Sequence, residues 1–164
     1  MLCKKTVKTF LQKQWTSIFT AIFAVLITSC SNQTTISYGE FETKVIASQM
    51  NELYIIRAQG KGATKQLAEQ QAVKQAVHDV IFKKIYLTYS DHNILFPLIA
   101  DPRIETMNQP FFSAFFAEGG TYLKFVKPTS DKKKKYQTDV LKSCIMNVCV
   151  DRGALKDYLK TEGF

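Results

Sequence analysis

The chain is short of the residues that usually announce chemistry. It has two histidines, His78 and His92, one tryptophan, Trp15, four prolines and four cysteines in 164 residues. Without a supporting histidine cluster, so few cysteines give no metal-ligand set, and none is expected. No paired carboxylates and no nucleophile elbow are found. Ser90, Asp91 and His92 are neighbours in sequence, whereas catalytic groups meet through the fold. The expectation is a protein that is not an enzyme, with a hydrolase using His92 as the remote alternative. No repeat occurs at solenoid periods. No apolar run reaches the roughly 20 residues of a membrane helix, since Ile18 to Ile27 is short and interrupted by Thr20.

What is present is concentrated at the start. Lys4, Lys5, Lys8 and Lys13 have no acidic counterpart in the first 30 residues, and the apolar stretch that follows closes on Leu26-Ile27-Thr28-Ser29-Cys30. This anatomy fits a cleaved leader. It resembles a bacterial lipoprotein signal, with Ile27, Thr28 and Ser29 at the positions a signal peptidase reads. The resemblance implies that Cys30 becomes the acylated first residue, carrying a diacylglycerol and further acyl chains such as palmitate as its covalent group, with no other cofactor. Two chains or more hold a protein where one holds it only marginally, at about 0.8 kcal/mol per buried methylene. An ordinary secretory leader or an uncleaved anchor is the alternative. The organisation expected is a signal peptide over 1–29, an acylated cysteine and tether over 30–40, and one domain over 41–164.

Removing the four leader lysines lowers the formal charge from +8 to +4. A mildly basic exported chain does not suggest nucleic acid as a partner, which would want a clustered basic face. The remaining ~134 residues suit one domain. Cys144 and Cys149 are the remaining thiols. On a continuous strand they lie about 17 Å apart on opposite faces, too far for a disulfide, which would need a turn at Asn147.

Ser31 to Tyr38 is polar and uncharged and reads as a tether of at most about 27 Å. Strands are expected at Val45 to Ser48 and Leu53 to Gln59, with Asn51-Glu52 as the turn. Gly60-Lys61-Gly62 is expected to break the second strand before a helix capped by Thr64 and running to about Lys84 or Tyr86, striped with Ala68, Ala72 and Ala76. Pro110 starts a short helix holding Phe111, Phe112, Phe115 and Phe116, expected to be core rather than a partner patch. Strands follow at Tyr122 to Val126 and Tyr136 to Val150, and Asp151 caps a last helix closed by Gly163. The fold class expected is α+β: an antiparallel sheet of about four strands packed by one long helix, with a short phenylalanine-rich helix and a C-terminal helix.

Gly60-Lys61-Gly62 lacks the third glycine of a dinucleotide loop and reads as a tight turn. Lys132, Lys133, Lys134 and Lys135 form the strongest charge run, expected at a hairpin tip as a solvated turn or as a contact for anionic glycan or lipid. The stretch from Tyr54 to Gly62, followed by Ala68, Ala72 and Ala76, resembles the Helicobacter-type membrane-associated lipoprotein family, also seen in flagellar assembly domains of the envelope. That likeness implies an α+β envelope domain binding other proteins. The function expected is a lipid-anchored interaction or assembly module, with the membrane and envelope proteins as partners. Ser31, rather than aspartate, follows Cys30. By proteobacterial sorting rules this implies the outer membrane, and without an acidic run beyond Cys30 the periplasmic face is favoured.

Overall fold

A computed structural model describes residues 42–89, 93–129, 134–138 and 142–164. The expected leader, Cys30 and the expected tether lie outside these residues. Within them the order is β1 (Lys44–Gln49), β2 (Leu53–Gly62), α1 (Lys65–Phe82), β3 (Ile85–Leu87), β4 (Ile94–Leu95), α2 (Arg103–Met107), α3 (Gln109–Phe115), a 3-10 helix (Thr121–Phe125), β5 (Val126–Lys127), β6 (Lys134–Thr138), β7 (Lys142–Asp151) and α4 (Arg152–Thr161). The class is α+β, as expected. The sheet is not the antiparallel one of about four strands: among the described residues it has seven strands, in the order β4-β3-β1-β2-β7-β5, with β6 also on β7.

The sheet is mixed because of where α1 ends. The helix starts over the Gly60 and Gly62 end of β2 and finishes with Asp79 bonded to Thr43, just ahead of β1. The chain therefore re-enters the sheet at β1's own starting end and runs with it, so β3 pairs β1 in parallel while every other ladder is antiparallel.

Gly60 and Gly62 do not break β2, which continues through Gly62. A Cβ on Gly60 would meet Ala68 O at 2.1 Å and Ala72 N at 2.2 Å, and one on Gly62 would meet Ala68 N at 2.7 Å. The alanine stripe supplies the other half of this contact, with Ala68, Ala72 and Ala76 fully buried. Thr64 caps the helix as expected, its hydroxyl accepting from Leu67 N at 3.2 Å. The helix stops at Phe82, short of Lys84, and β3 takes Ile85 and Tyr86.

One core unites the helices with a single sheet face. From the strands it takes Val45, Ile56, Ala58, Ile85, Leu95, Val148 and Val150, whose register places them together. The four phenylalanines expected as core do pack there: Phe112, Phe115 and Phe116 are buried, and Phe111 lies half-buried between Phe112, Phe164 and Tyr158. The strand expected at Tyr122 to Val126 is instead the 3-10 helix, with only Val126 and Lys127 pairing on β7. Turning the backbone there brings both Tyr122 and Phe125 into the aromatic core. Asp151 caps α4 through Ala154 N at 2.9 Å. Beyond it Gly163, at φ 95, lets Phe164 N reach Leu159 O and its own N reach Lys160 O, a Schellman closure. No described helix is long and apolar enough to cross a membrane.

Candidate functional site

Three constellations merit weighing, and each starts from α1 or the strand behind it. The first is a buried polar knot at the C-terminal end of α1. Helical spacing puts Gln75, Asp79 and Lys83 on one side of the helix. Asp79 is 1% exposed. It accepts from the Thr43 hydroxyl and from Gln75 Nε2 at 2.8 Å, with Lys83 Nζ at 3.1 Å and His78 Nδ1 at 3.3 Å. Burial pushes its carboxyl up, but donation from His78, Thr43 and Gln75 together with the Lys83 charge outweighs burial and holds it below the usual range.

The other nitrogen of His78, Nε2, stands 3.1 and 3.2 Å from the two Glu105 carboxylate oxygens of α2. Its ring also packs against Phe82 and Phe116. A base that activates a nucleophile needs a nitrogen facing that nucleophile. Here each ring nitrogen meets a carboxylate, and the neighbouring Thr43 hydroxyl donates to Asp79. The arrangement can tie α1, α2 and the lead-in to β1 together. It is built as a staple.

The second constellation involves the lysine run. Lys134 and Lys135 lie in β6 and not at a turn, and Lys132 and Lys133 lie outside the described residues. Strand alternation sends the two described lysines to opposite faces. On the helix side, Lys134 Nζ is 2.5 Å from Glu69 Oε2, and the Tyr136 hydroxyl donates to Glu69 Oε1. The hydrogen bonds from Lys134 and then Tyr136 keep Glu69 below its ordinary range, while the carboxylate pushes the Tyr136 phenol up to about 12. Lys65 Nζ sits 5.1 Å over the Tyr136 ring. Thus β6 clasps the first half of α1. Beside this clasp, Glu69, Val73, Lys74, Glu118, Tyr122 and Met146 help line an open cleft of about 320 Å³. Burial lowers Lys74 against the opposing pull of Glu118, and its ammonium lies 5.9 Å from the Tyr122 ring centre.

No protein-family model, curated protein or solved structure matches the chain.

The third constellation is the sheet face turned away from the helices. It carries Ile55, Arg57, Gln59 and Lys61 of β2 beside Cys149, Asn147, Ile145 and Ser143 of β7. Arg57 Nε donates to Asn147 Oδ1 at 3.3 Å, so the exposed guanidinium roofs a buried amide. None of these side chains belongs to the apolar cluster under the helices, although Ser143, Asn147 and Cys149 are themselves buried. The two cysteines straddle the sheet as a continuous strand requires: Cys144 is opposite Gly60 on the helix side, and Cys149 is opposite Ile55 on the open side. Both thiols are free and buried, and burial raises both.

Ile27, Thr28, Ser29, Cys30 and His92 lie outside the described residues. Among the described residues, no group of three or more His, Cys, Asp or Glu is placed to hold a metal ion. Sequence reasoning missed the polar knot and the open face. The first was signalled by Gln75, Asp79 and Lys83 recurring every fourth residue. The second was signalled by Arg57, Gln59 and Lys61 alternating with Ala58, Gly60 and Gly62.

Proposed function

We propose that this chain is a lipid-anchored bacterial envelope protein whose α+β domain acts as a non-enzymatic interaction or assembly module, held at the outer membrane on its periplasmic face. The anchor rests on the four leader lysines, the short apolar run and the Ile27-Thr28-Ser29-Cys30 junction. The observation that carries the module reading is the one-sided sandwich. The core consumes one face of the sheet, and the other keeps a mixed polar and apolar surface for a partner.

Cells expressing the full chain or its Cys30→Ser variant, fed a traceable fatty acid, test the anchor. Label and a diacylglyceryl mass on the peptide beginning at Cys30 are expected in the first and not in the second. An unmodified thiol in the wild-type chain would overturn the proposal. Separation of inner from outer membranes then tests the location, with the label expected in the denser fraction.

A further inference from the structure

One side of α4 lines a second cleft, apart from the one beside Glu69. Facing the helix is the segment 97–99, whose Leu98 and Ile99 amides are tied to Val80 O and Ile81 O at the end of α1. Buried Ile99 and Leu159 and half-buried Leu98 and Phe164 give the cleft its apolar lining. Phe164 is held in place by Leu159 O and by the rings of Phe111 and Phe112, at 4.9 and 5.2 Å between centres. The cleft measures about 260 Å³, close to the lower end for small-molecule sites.

The charged residues of this lining are all cations. Arg152, Lys156 and Lys160 recur every fourth residue, so helical spacing sets them in a row about 12 Å long on one side of α4. Arg152 is the most enclosed. Its Nη1 donates to Glu52 Oε2 and its Nη2 to Phe96 O, both at 3.2 Å, and its Nε lies buried without a hydrogen-bond partner, which is uncommon for a buried donor. Lys156 and Lys160 form no ion pair among the described residues. The acids nearby are engaged or lie outside the lining. Asp151 caps α4 and meets Lys127 at 3.5 Å, Glu162 accepts from the Tyr158 hydroxyl, and Asp157 is exposed. A free carboxylate at Phe164 would still leave the lining with a positive surplus.

A row of cations beside apolar walls selects one class of ligand. An inorganic anion would answer the charges and leave the walls wet, and a neutral apolar molecule would cover the walls and leave the charges unanswered. An anion on an apolar body does both. Its head belongs between Arg152 and Lys156, where the first turn of α4 also favours negative charge, and its body belongs against Leu98, Leu159 and Phe164. We propose that this cleft binds a small amphiphilic anion, a carboxylate or phosphate carried on a short apolar body. The site goes beyond the interaction-module reading and does not depend on the lipid anchor.

The test is amine footprinting of the full chain in phosphatidylcholine vesicles, with octanoate or octyl phosphate as the probe. Near saturation, acetylation of Lys156 and Lys160 is expected to slow at least about fivefold, as mass action gives when about nine sites in ten are filled. Lys124 and Lys135, which lie outside the lining, should keep their rates. Octanol lacks the charge, and acetate and inorganic phosphate lack the body. Each should need at least about tenfold higher concentration for the same protection. The octyl probe that protects at the lower concentration assigns the head as carboxylate or phosphate. Protection by neither would overturn the proposal, as would equal slowing at Lys124 and Lys135 or equal potency of octanol. Lys156→Gln should raise the concentration that protects Lys160 about threefold or more, while Lys124→Gln should not. Equal effects of the two substitutions would also overturn it.

Discussion

Gly60 in β2 lies directly beneath Ala72 in α1, so close that a Cβ on the glycine would stand 2.2 Å from the alanine's backbone nitrogen. Because backbone rather than a flexible side chain is struck, the helix would have to lift. Gly60→Ala is expected to cost about 3 kcal/mol, the upper part of the range for overpacking. Gly153 is the contrast: its nearest neighbour is Glu52 Cβ at 3.6 Å, and it sits inside α4. Gly153→Ala should stabilise by roughly 0.5–1 kcal/mol through helix propensity. Thermal unfolding of the two variants checks the opposite signs.

Asp79 makes stability depend on acid. Its carboxyl is lowered in the folded chain, so its contribution is present at neutral pH and is lost as pH falls below the ordinary aspartate value near ~3.9 towards the lower folded one. Asp79→Asn should flatten this acid limb in a denaturant series from neutral pH to about pH 2. Asp79→Ala leaves Gln75, Thr43 and Lys83 facing an empty site and should cost about 3–5 kcal/mol at neutral pH.

The closure of α4 depends on a left-handed residue. Gly163→Ala places a side chain at φ 95 and should cost about 1 kcal/mol. The same change should loosen Phe164, whose ring centre lies 4.9 Å from that of Phe111. Amide exchange at Phe164, whose N–H bonds Leu159 O, should quicken in the variant.

Glu69 sets the ionisation of Tyr136. With the carboxylate present the phenol titrates near 12, and Glu69→Gln should bring it down towards the ordinary value of about 10. Ultraviolet difference titration of the two chains reads the shift. An unchanged titration would show that β6 does not clasp α1 in solution.

Elements governed by neighbouring residues were legible in the sequence. Thr64 and the four-residue alanine stripe gave α1, Asp151 gave the start of α4, and Gly163 gave its end. Elements set by distant contacts were not. Gly60 and Gly62 look like a strand break because glycine is common in turns, and only the helix lying on them explains their place in a strand. Tyr122 to Val126 has strand composition, yet burying Tyr122 and Phe125 together against the phenylalanines requires a tighter turn of backbone. The two-residue strands β4 and β5 are too short for any alternation to register, and the parallel pairing of β3 follows from the crossing of α1. His78 showed no sign of its role because Glu105 is distant in sequence.

Among the described residues both borders of the sheet are meagre, since β4 contributes two residues at one side and β5 and β6 two and five at the other. Few backbone groups are therefore offered to a neighbouring molecule for strand addition.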